Sequence, residues 1–497
     1  MPPLEEMPLE GVIALVRAQA ELLGELRAEL ADRDRQLEDR DRVIAELVAK
    51  VADLERKASR NSRNSSLSPS SDDVVPGRKT PRPPAGGSGS GKKKRGKQPG
   101  ADGQTLAWRE DPDRVEPHFP VGACGCGAAL ADAAVVGIAR SHQSHDLTPA
   151  RVGVTQHDLY QVACGCGRRH VAARPDGVSG APVSYGPQLR ALALSFLVRQ
   201  HLPVERTREA IVELCGVTVS AGWLHSLLAL GADAVEEPVA EIEQRIAGEK
   251  VAGFDETPLK VGPKGEKRYV LSASTLLFML GGRDKASFGV FLLGRMLGVV
   301  VHDRYALYDC EEFAGFLHQL CVSHLLRDLQ DAVETYPEAA WPVQLQESLR
   351  GLVHQANLAR TAGLAEIPAA LRDPLIAEYR GAVRVGLADV PPAEKGRKQP
   401  VGRCLLECLR DRQQDVLRFV FDLDVWPTNN QSERDLRPFK TQQKISGRLT
   451  SAAATACRLQ IASYLSTARK HGVSALHALR LAFRGSPWMP PAAVVPT

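Results

Sequence analysis

Leu23, Leu30, Leu37, Ile44 and Val51 recur every seven residues, and Leu26, Leu47 and Leu54 supply a partner seam that Arg33 and Arg40 interrupt mid-way. Charges fill the other faces, and neither proline nor glycine follows Gly24 within the run. An apolar repeat this strict, sustained over more than four heptads, specifies one long helix whose seam wants a second helix. Residues 1–58 therefore read as a coiled coil that makes a homo-oligomer, with the two arginines fixing register at a cost in stability. The plainer alternative is a lone amphipathic helix packed on its own body.

The 497 residues amount to about three domains of roughly 150 each. At 43% hydrophobic and 25% charged, the chain is neither collagen-like, mucin-like nor wholly disordered. The longest apolar stretch, residues 214–232, is broken by Thr218, Ser220, His225 and Ser226, so no membrane partner is expected. The start, MPPLEEMPLEG, carries acids where a secretory signal needs bases, which places the protein in the cytoplasm. Net charge is only +4, yet residues 74–100 hold eight bases and no acids, leaving −4 for the rest. Those bases include Lys92, Lys93, Lys94, Arg95 and Lys97, inside a Ser/Pro/Gly/Lys-rich segment over 59–116 that cannot bury a core. It reads as a flexible linker. Its charge either keeps the linker solvated or binds a polyanion with steep salt dependence.

Ten cysteines in a cytoplasmic chain argue against a disulfide framework. Four fall in two matched copies, CGCGAAL (Cys124, Cys126) and CGCGRRH (Cys164, Cys166), within residues 117–175. Paired thiols on tight glycine turns can present two ligands each to a tetrahedral structural Zn²⁺, although C-x-C is tighter than the usual C-x2-C. The alternative is two glycine turns with incidental thiols. Residues 176–246 read as helical, and ERTREAIVELCGVTVSAGWLHSLLAL has the spacing of a DNA-reading helix-turn-helix or of two ordinary packed helices.

After Lys250 the pattern switches to strands. KVAGFDETPLKV reads as a short apolar strand ending in Asp255 and Glu256, KRYVLSAST and LLFMLGG as its neighbours, ASFGVFLLGR as a helix, and GVVVHDRYALYD as a buried strand ending at Asp303. Two strands of one sheet can hold carboxylates at a fixed separation for a metal. A long helical stretch beginning EEFAGFLHQL runs to about residue 420. Then TNNQSERDLRPFK starts another helix, with Glu433 among Arg434, Arg437, Lys440 and Lys444: a metal ligand beside phosphate contacts, or a salt-bridged surface helix.

FDETPL, VVHDRYALYD and TNNQSERDLRPFK, in that order, resemble the catalytic signatures of DDE transposases of the insertion-sequence-sixty-six family. NSRNSSLSPSSD and GKKKRGKQPG resemble that family's linker, the paired cysteines fall where its small zinc-binding domain sits, and KISGRLTS…IASYLSTARKHG is similar to its C-terminal end. The resemblance implies a multidomain α/β protein. A ribonuclease-H-like core would span 247–450, interrupted by a helical insertion at about 311–420 and followed by a helical region, 451–497. It implies Asp255, Asp303 and Glu433 as the catalytic acids, holding two Mg²⁺ or Mn²⁺ ions that cut and join phosphodiesters without a side-chain nucleophile. Cys321 and His324, in CVSH, resemble a C-x2-H element of such enzymes, metal-linked or simply core. The implied partners are double-stranded DNA, both terminal inverted repeats and target, and small accessory proteins of the same element, with the enzyme nucleoid-associated when acting. The chain departs from the family in its C-x-C spacing and in Thr428 where many members carry Asp. Competing readings are a catalytically silent DNA-binding regulator or domesticated transposase, and a plain nuclease that hydrolyses without joining.

Overall fold

The computed structural model describes residues 8–59, 107–146, 152–175, 180–262, 266–273, 277–447, 449 and 451–491. They divide into two compact units, one drawn from 1–81, 174–204 and 222–497, the other from 82–173 and 205–221. Lys92, Lys93, Lys94, Arg95 and Lys97 lie outside the described residues, as does most of the expected linker.

The heptad segment is one uninterrupted helix, α1 (Leu9–Ser59). Leu23, Leu30, Leu37, Ile44 and Val51 are each 52–60% exposed on the single chain, so its apolar stripe faces solvent. No described helix is long and apolar enough to cross a membrane.

In the second unit the two CGCG copies fold into the same turn. Cys124 N–H donates to Ala128 O and Gly127 N–H to Cys124 O; Cys164 N–H donates to Arg168 O and Gly167 N–H to Cys164 O, all at 2.7–2.8 Å. Gly127 and Gly167 occupy positive φ (90° and 86°), a conformation that glycine adopts without a Cβ penalty. The second turn closes the hairpin β1 (Gln161–Ala163) and β2 (Arg169–Val171), all six residues of which are exposed. Four helices follow along the chain: α2 (Pro187–Leu194), continued by a π-helical turn over Ser195–Arg199, then α3 (Val204–Cys215), α4 (Ala221–Asp233) and α5 (Glu236–Ala247).

The first unit is built on a five-stranded sheet. Its strands are β3 (Val251–Val261), β4 (Glu266–Ala273), β5 (Leu277–Gly281), β6 (Val299–His302) and β7 (Leu317–Leu320), in the spatial order β5-β4-β3-β6-β7. The β5-β4-β3 pairs are antiparallel, and β3-β6-β7 are parallel. Between β5 and β6 lies α6 (Lys285–Val290), capped by Asp284, whose side chain accepts from Ser287 N–H. The rest of the expected helix there is a 3₁₀ turn, Leu292–Arg295.

Two expectations about elements are corrected. The strand carrying Asp255 and Glu256 does not end at them: its second half, Phe254–Val261, continues in antiparallel pairing with β4. The segment EEFAGFLHQL is not the start of a helix; Glu311–Phe313 is a 3₁₀ turn and Leu317–Leu320 is the fifth strand. Helices begin only at Val322, with α7 (Val322–Thr335), α8 (Trp341–Thr361), α9 (Ala369–Asp389), α10 (Val401–Asp411) and α11 (Gln413–Phe421). Then come α12 (Asn430–Ser446), α13 (Ala452–Lys470) and α14 (Ala475–Phe483).

Alternation along the strands sorts residues between two cores. Val251, Val299, Val301 and Leu320 join Leu325, Leu329, Trp341, Leu345 and Leu406 of the α7–α11 group. Ala252, Phe254 and Val300 join Ile242, Ile246, Phe288, Phe291 and Tyr308 on the opposite face. Further along β3, Leu259 and Val261 pack with Leu436 and Phe439 of α12 and Leu459 of α13. The sheet is thus covered on both faces.

Candidate active site

The parallel pairing of β3 with β6 ends at Gly253↔Val301. Asp255 lies two residues beyond that pair within β3, on the face that carries Val251, and Asp303 lies two residues beyond it, directly after the end of β6. Beyond Gly253 the strand stays with β4 and leaves β6, so the two acids sit where the sheet opens. Glu256, one residue on, alternates to the other face. Its side chain is only 3% exposed, bonded to Arg283 Nη2 at 2.6 Å and to the Tyr308 hydroxyl at 3.2 Å.

Glu433 comes to the same face through α12. A Cβ added at Gly253 would lie 2.7 Å from Asn429 Oδ1 and 2.8 Å from Ser432 Oγ, so the start of α12 rests directly on the bare backbone of β3. Asn429 precedes α12 but does not cap it through its side chain. Its amide donates to Phe254 O instead, and its backbone N–H donates to Cys321 Sγ at 3.2 Å. Val322 N–H also bonds Pro427 O at 2.9 Å, which docks the 427–429 turn on the first turn of α7. One helical turn along α7, His324 and Arg327 meet Glu433: His324 Nε2 lies 3.5 Å and Arg327 Nη2 3.3 Å from Glu433 Oε1.

The electrostatics follow from this crowding. Burial, reinforced by the negative fields of Glu256, Asp303 and Glu433, pushes the Asp255 carboxyl well above its usual range, with His324 opposing. Glu256 is raised to about 7 by burial and by Asp303, against the pull of Arg283 and Tyr308. Burial alone would lower the His324 imidazole, but Cys321 and Glu433 outweigh it and bring it to about 9. Clustered, desolvated carboxylates of this kind are what a hard divalent cation relieves. Asp255, Asp303 and Glu433 offer only oxygen donors, a chemistry that suits Mg²⁺ or Mn²⁺. Among the described residues no group of three or more His, Cys, Asp and Glu is drawn together tightly enough to be a ready-made metal cage.

The other candidate residues fall in three places. Arg434, Arg437 and Lys444 form an exposed stripe along α12, with Lys440 half-buried beside it. Cys321 and His324 are held in the acidic centre at the start of α7. Cys124, Cys126, Cys164 and Cys166 are free and exposed, and each turn's first thiol is shifted toward the thiolate, mainly by hydrogen bonds from its partner cysteine.

The Transposase IS66 family model matches residues 182–456, more than half of the chain and the whole of the sheet, its acids and the helical group. The chain belongs to the IS66 transposase family. Membership makes it a transposase of a mobile element, a DNA-binding and DNA-cleaving enzyme of a kind that uses divalent metal. A second model, a family of unknown function (DUF6444), matches residues 16–107, the greater part of α1 and the basic segment. No curated protein matches the chain.

Several residues around the candidate acids are not legible in the sequence. Arg283, Tyr305, Tyr308 and Arg327 reach the acids from other elements and carry no local signature. Gly253 and Asn429 do leave signals: a glycine inside an apolar strand marks close approach of another backbone or element, and the paired Asn stands both at a helix start and inside the TNNQSERDLRPFK signature.

Proposed function

We propose that this transposase cuts the ends of its own insertion sequence and joins them to target DNA, with Asp255, Asp303 and Glu433 as its catalytic acids. The observation that carries the reading is that Asp255 and Asp303 each follow the last β3–β6 pair by two residues, with the start of the Glu433 helix seated on Gly253 of that same pair. The strand order, with an antiparallel trio joined to a parallel pair, supports a ribonuclease-H-like core, and the α7–α11 group supports a helical insertion between the second and third acids.

Two divalent ions bound by these acids would activate the attacking oxygen and stabilise the leaving 3′-oxygen. The chain's own residues do the rest. Arg327 and His324 steady Glu433, and Asn429 and Ser432 fix the height of its helix over β3. Arg434, Arg437 and Lys444 offer phosphate contacts that position a duplex without reading its sequence. The exposed apolar stripe of α1 pairs two protomers so that two ends are held together. The CGCG turns, the basic segment and the α3–α4 region contribute recognition of the terminal repeats.

The test is a Mg²⁺-dependent cleavage and strand-transfer assay on the element's terminal DNA, with Asp303→Ala run alongside. Cleavage and joined products from the parent and none from the variant are expected, with end binding retained in both. Joining by the variant at the parental rate would remove Asp303 from the site. Cut ends without joined products would make the enzyme a nuclease.

A further inference from the structure

Glu256 follows Asp255 directly, and by type either acid could face the metal. Their side chains alternate across β3. Asp255 is on the face where the start of α12 meets Gly253, whereas Glu256 is on the face of Phe254 and bonds Tyr308. There it accepts from Arg283 at 2.6 Å and from the Tyr308 hydroxyl at 3.2 Å. Arg283 is spoken for in a second way. Its guanidinium carbon lies 3.6 Å from the centroid of the Tyr305 ring, well inside the range of a cation–π contact. The Tyr305 hydroxyl in turn donates to the Arg283 carbonyl at 3.3 Å, so ring and hydroxyl grip the same residue. Finally, Tyr305 N–H donates to Asp303 Oδ1 at 2.9 Å.

The contacts make a closed path from one strand to the next: Asp255–Glu256 on β3, across to Arg283 after β5, then to Tyr305 and back to Asp303 after β6. We propose that Glu256, acting through Arg283 and Tyr305, is a positioning residue that fixes the Asp303 carboxylate for metal binding and takes no metal itself. The proposal rests on the assignment of Asp303 as a metal-holding acid. The logic is that of a second layer of groups orienting a ligand. With Oδ1 accepting from the Tyr305 amide, rotation of the Asp303 carboxylate is restrained. The Asx-type turn that Asp303 makes with Tyr305 is weak alone. The Arg283–Glu256 ion pair stacked behind Tyr305 is what keeps that turn closed.

The experiment measures Mn²⁺ binding to the full-length protein by calorimetric titration, together with strand cleavage, thermal unfolding and metal-free binding to terminal DNA. The variants are Glu256→Ala, Glu256→Gln, Arg283→Ala, Tyr305→Ala, Tyr305→Phe and Asp303→Ala. Loss of an outer-layer partner costs roughly 10–100-fold in metal affinity. Glu256→Ala, Arg283→Ala and Tyr305→Ala are therefore expected to weaken Mn²⁺ binding by roughly tenfold or more. Metal-free DNA binding should stay at the parental level. Glu256→Gln and Tyr305→Phe, which keep an acceptor and a ring, should recover most of the loss. Should Glu256→Ala fail to fold, Arg283→Ala and Tyr305→Ala carry the test, since Arg283 is a third exposed and Tyr305 is only half-buried.

Parental Mn²⁺ affinity in Arg283→Ala and Tyr305→Ala would overturn the proposal. So would a loss of metal-free DNA binding at unchanged Mn²⁺ affinity, which would make Arg283 a DNA contact. If Asp303→Ala itself binds Mn²⁺ and cleaves like the parent, the assignment of Asp303 fails instead, and the two failures are told apart.

Discussion

The sheet that carries the acids and the segment that carries the paired cysteines solve the same problem, holding reactive side chains at fixed places, in opposite ways. Around β3 and β6 each acid is fixed by packed neighbours: Asn429 and Ser432 are 2% and 1% exposed where α12 crosses Gly253, and the Glu256 side chain is 3% exposed against Arg283. In the cysteine segment the strands are three residues long, all six of their residues are exposed, and the four thiols are free. Here the two cysteine turns are shaped by the same pair of backbone hydrogen bonds in both copies. A large core can place functional groups by itself, whereas a segment with almost no core needs something added to hold it.

That contrast can be broken most violently at the cysteines. If Zn²⁺ is what holds the two turns, one zinc per chain should be found by elemental analysis. Structural zinc contributes on the order of 10 kcal/mol in small sites. Strong chelation, or Cys164→Ser, should then expose residues 117–175 to proteolysis while the melting of the sheet-bearing unit is unchanged. A metal-free protein that resists proteolysis there would show that the turns stand alone.

On the other side, Asp255→Ala and Glu433→Ala should each depress strand cleavage on the order of 10⁴-fold, because groups that act as a unit fail together. A gel-shift titration on terminal DNA should remain near the parental curve. Gly253→Ala sharpens the comparison without touching an acid. Its Cβ would sit under 3 Å from the buried side chains of Asn429, just before α12, and Ser432, within it, so overpacking should cost about 1–3 kcal/mol in urea unfolding. Cleavage should fall further than that instability explains, since Glu433 moves with its helix. Asn429→Ala is the mildest change. It leaves the Phe254 carbonyl without its amide donor and should cost about 1–2 kcal/mol, visible as a lowered urea midpoint at an unchanged slope.

The sequence carried the acids of this site further than their surroundings. Asp255 and Asp303 stood out because carboxylates follow runs such as VVVH that have no reason to end in charge unless the charge is used. Their common level did not, since it depends on the Gly253↔Val301 register, which only pairing reveals. The strand Leu317–Leu320 was hidden because LHQL is four residues long and merges into the helical pattern that begins at Val322. Arg283 and Arg327 were invisible for a related reason. An arginine 27 residues beyond Glu256, or 106 before Glu433, is indistinguishable from a surface base until the fold closes. In the cysteine segment the reverse held: the matched CGCG turns were legible as turns, because glycine and backbone bonding decide them locally.

Because the helical group α7–α11 is inserted ahead of α12, Glu433 lies 130 residues beyond Asp303 in the chain. Translation proceeds from the N-terminus at roughly 5–20 residues per second. A nascent chain therefore displays Asp255 and Asp303 for roughly 6 to 26 seconds before the third acid has even been made. The helix that brings it must then close a contact of high sequence separation, which is intrinsically slow. On the proposed assignment of the acids the insertion acts as a timer: α1 is complete long before Glu433 can join Asp255 and Asp303.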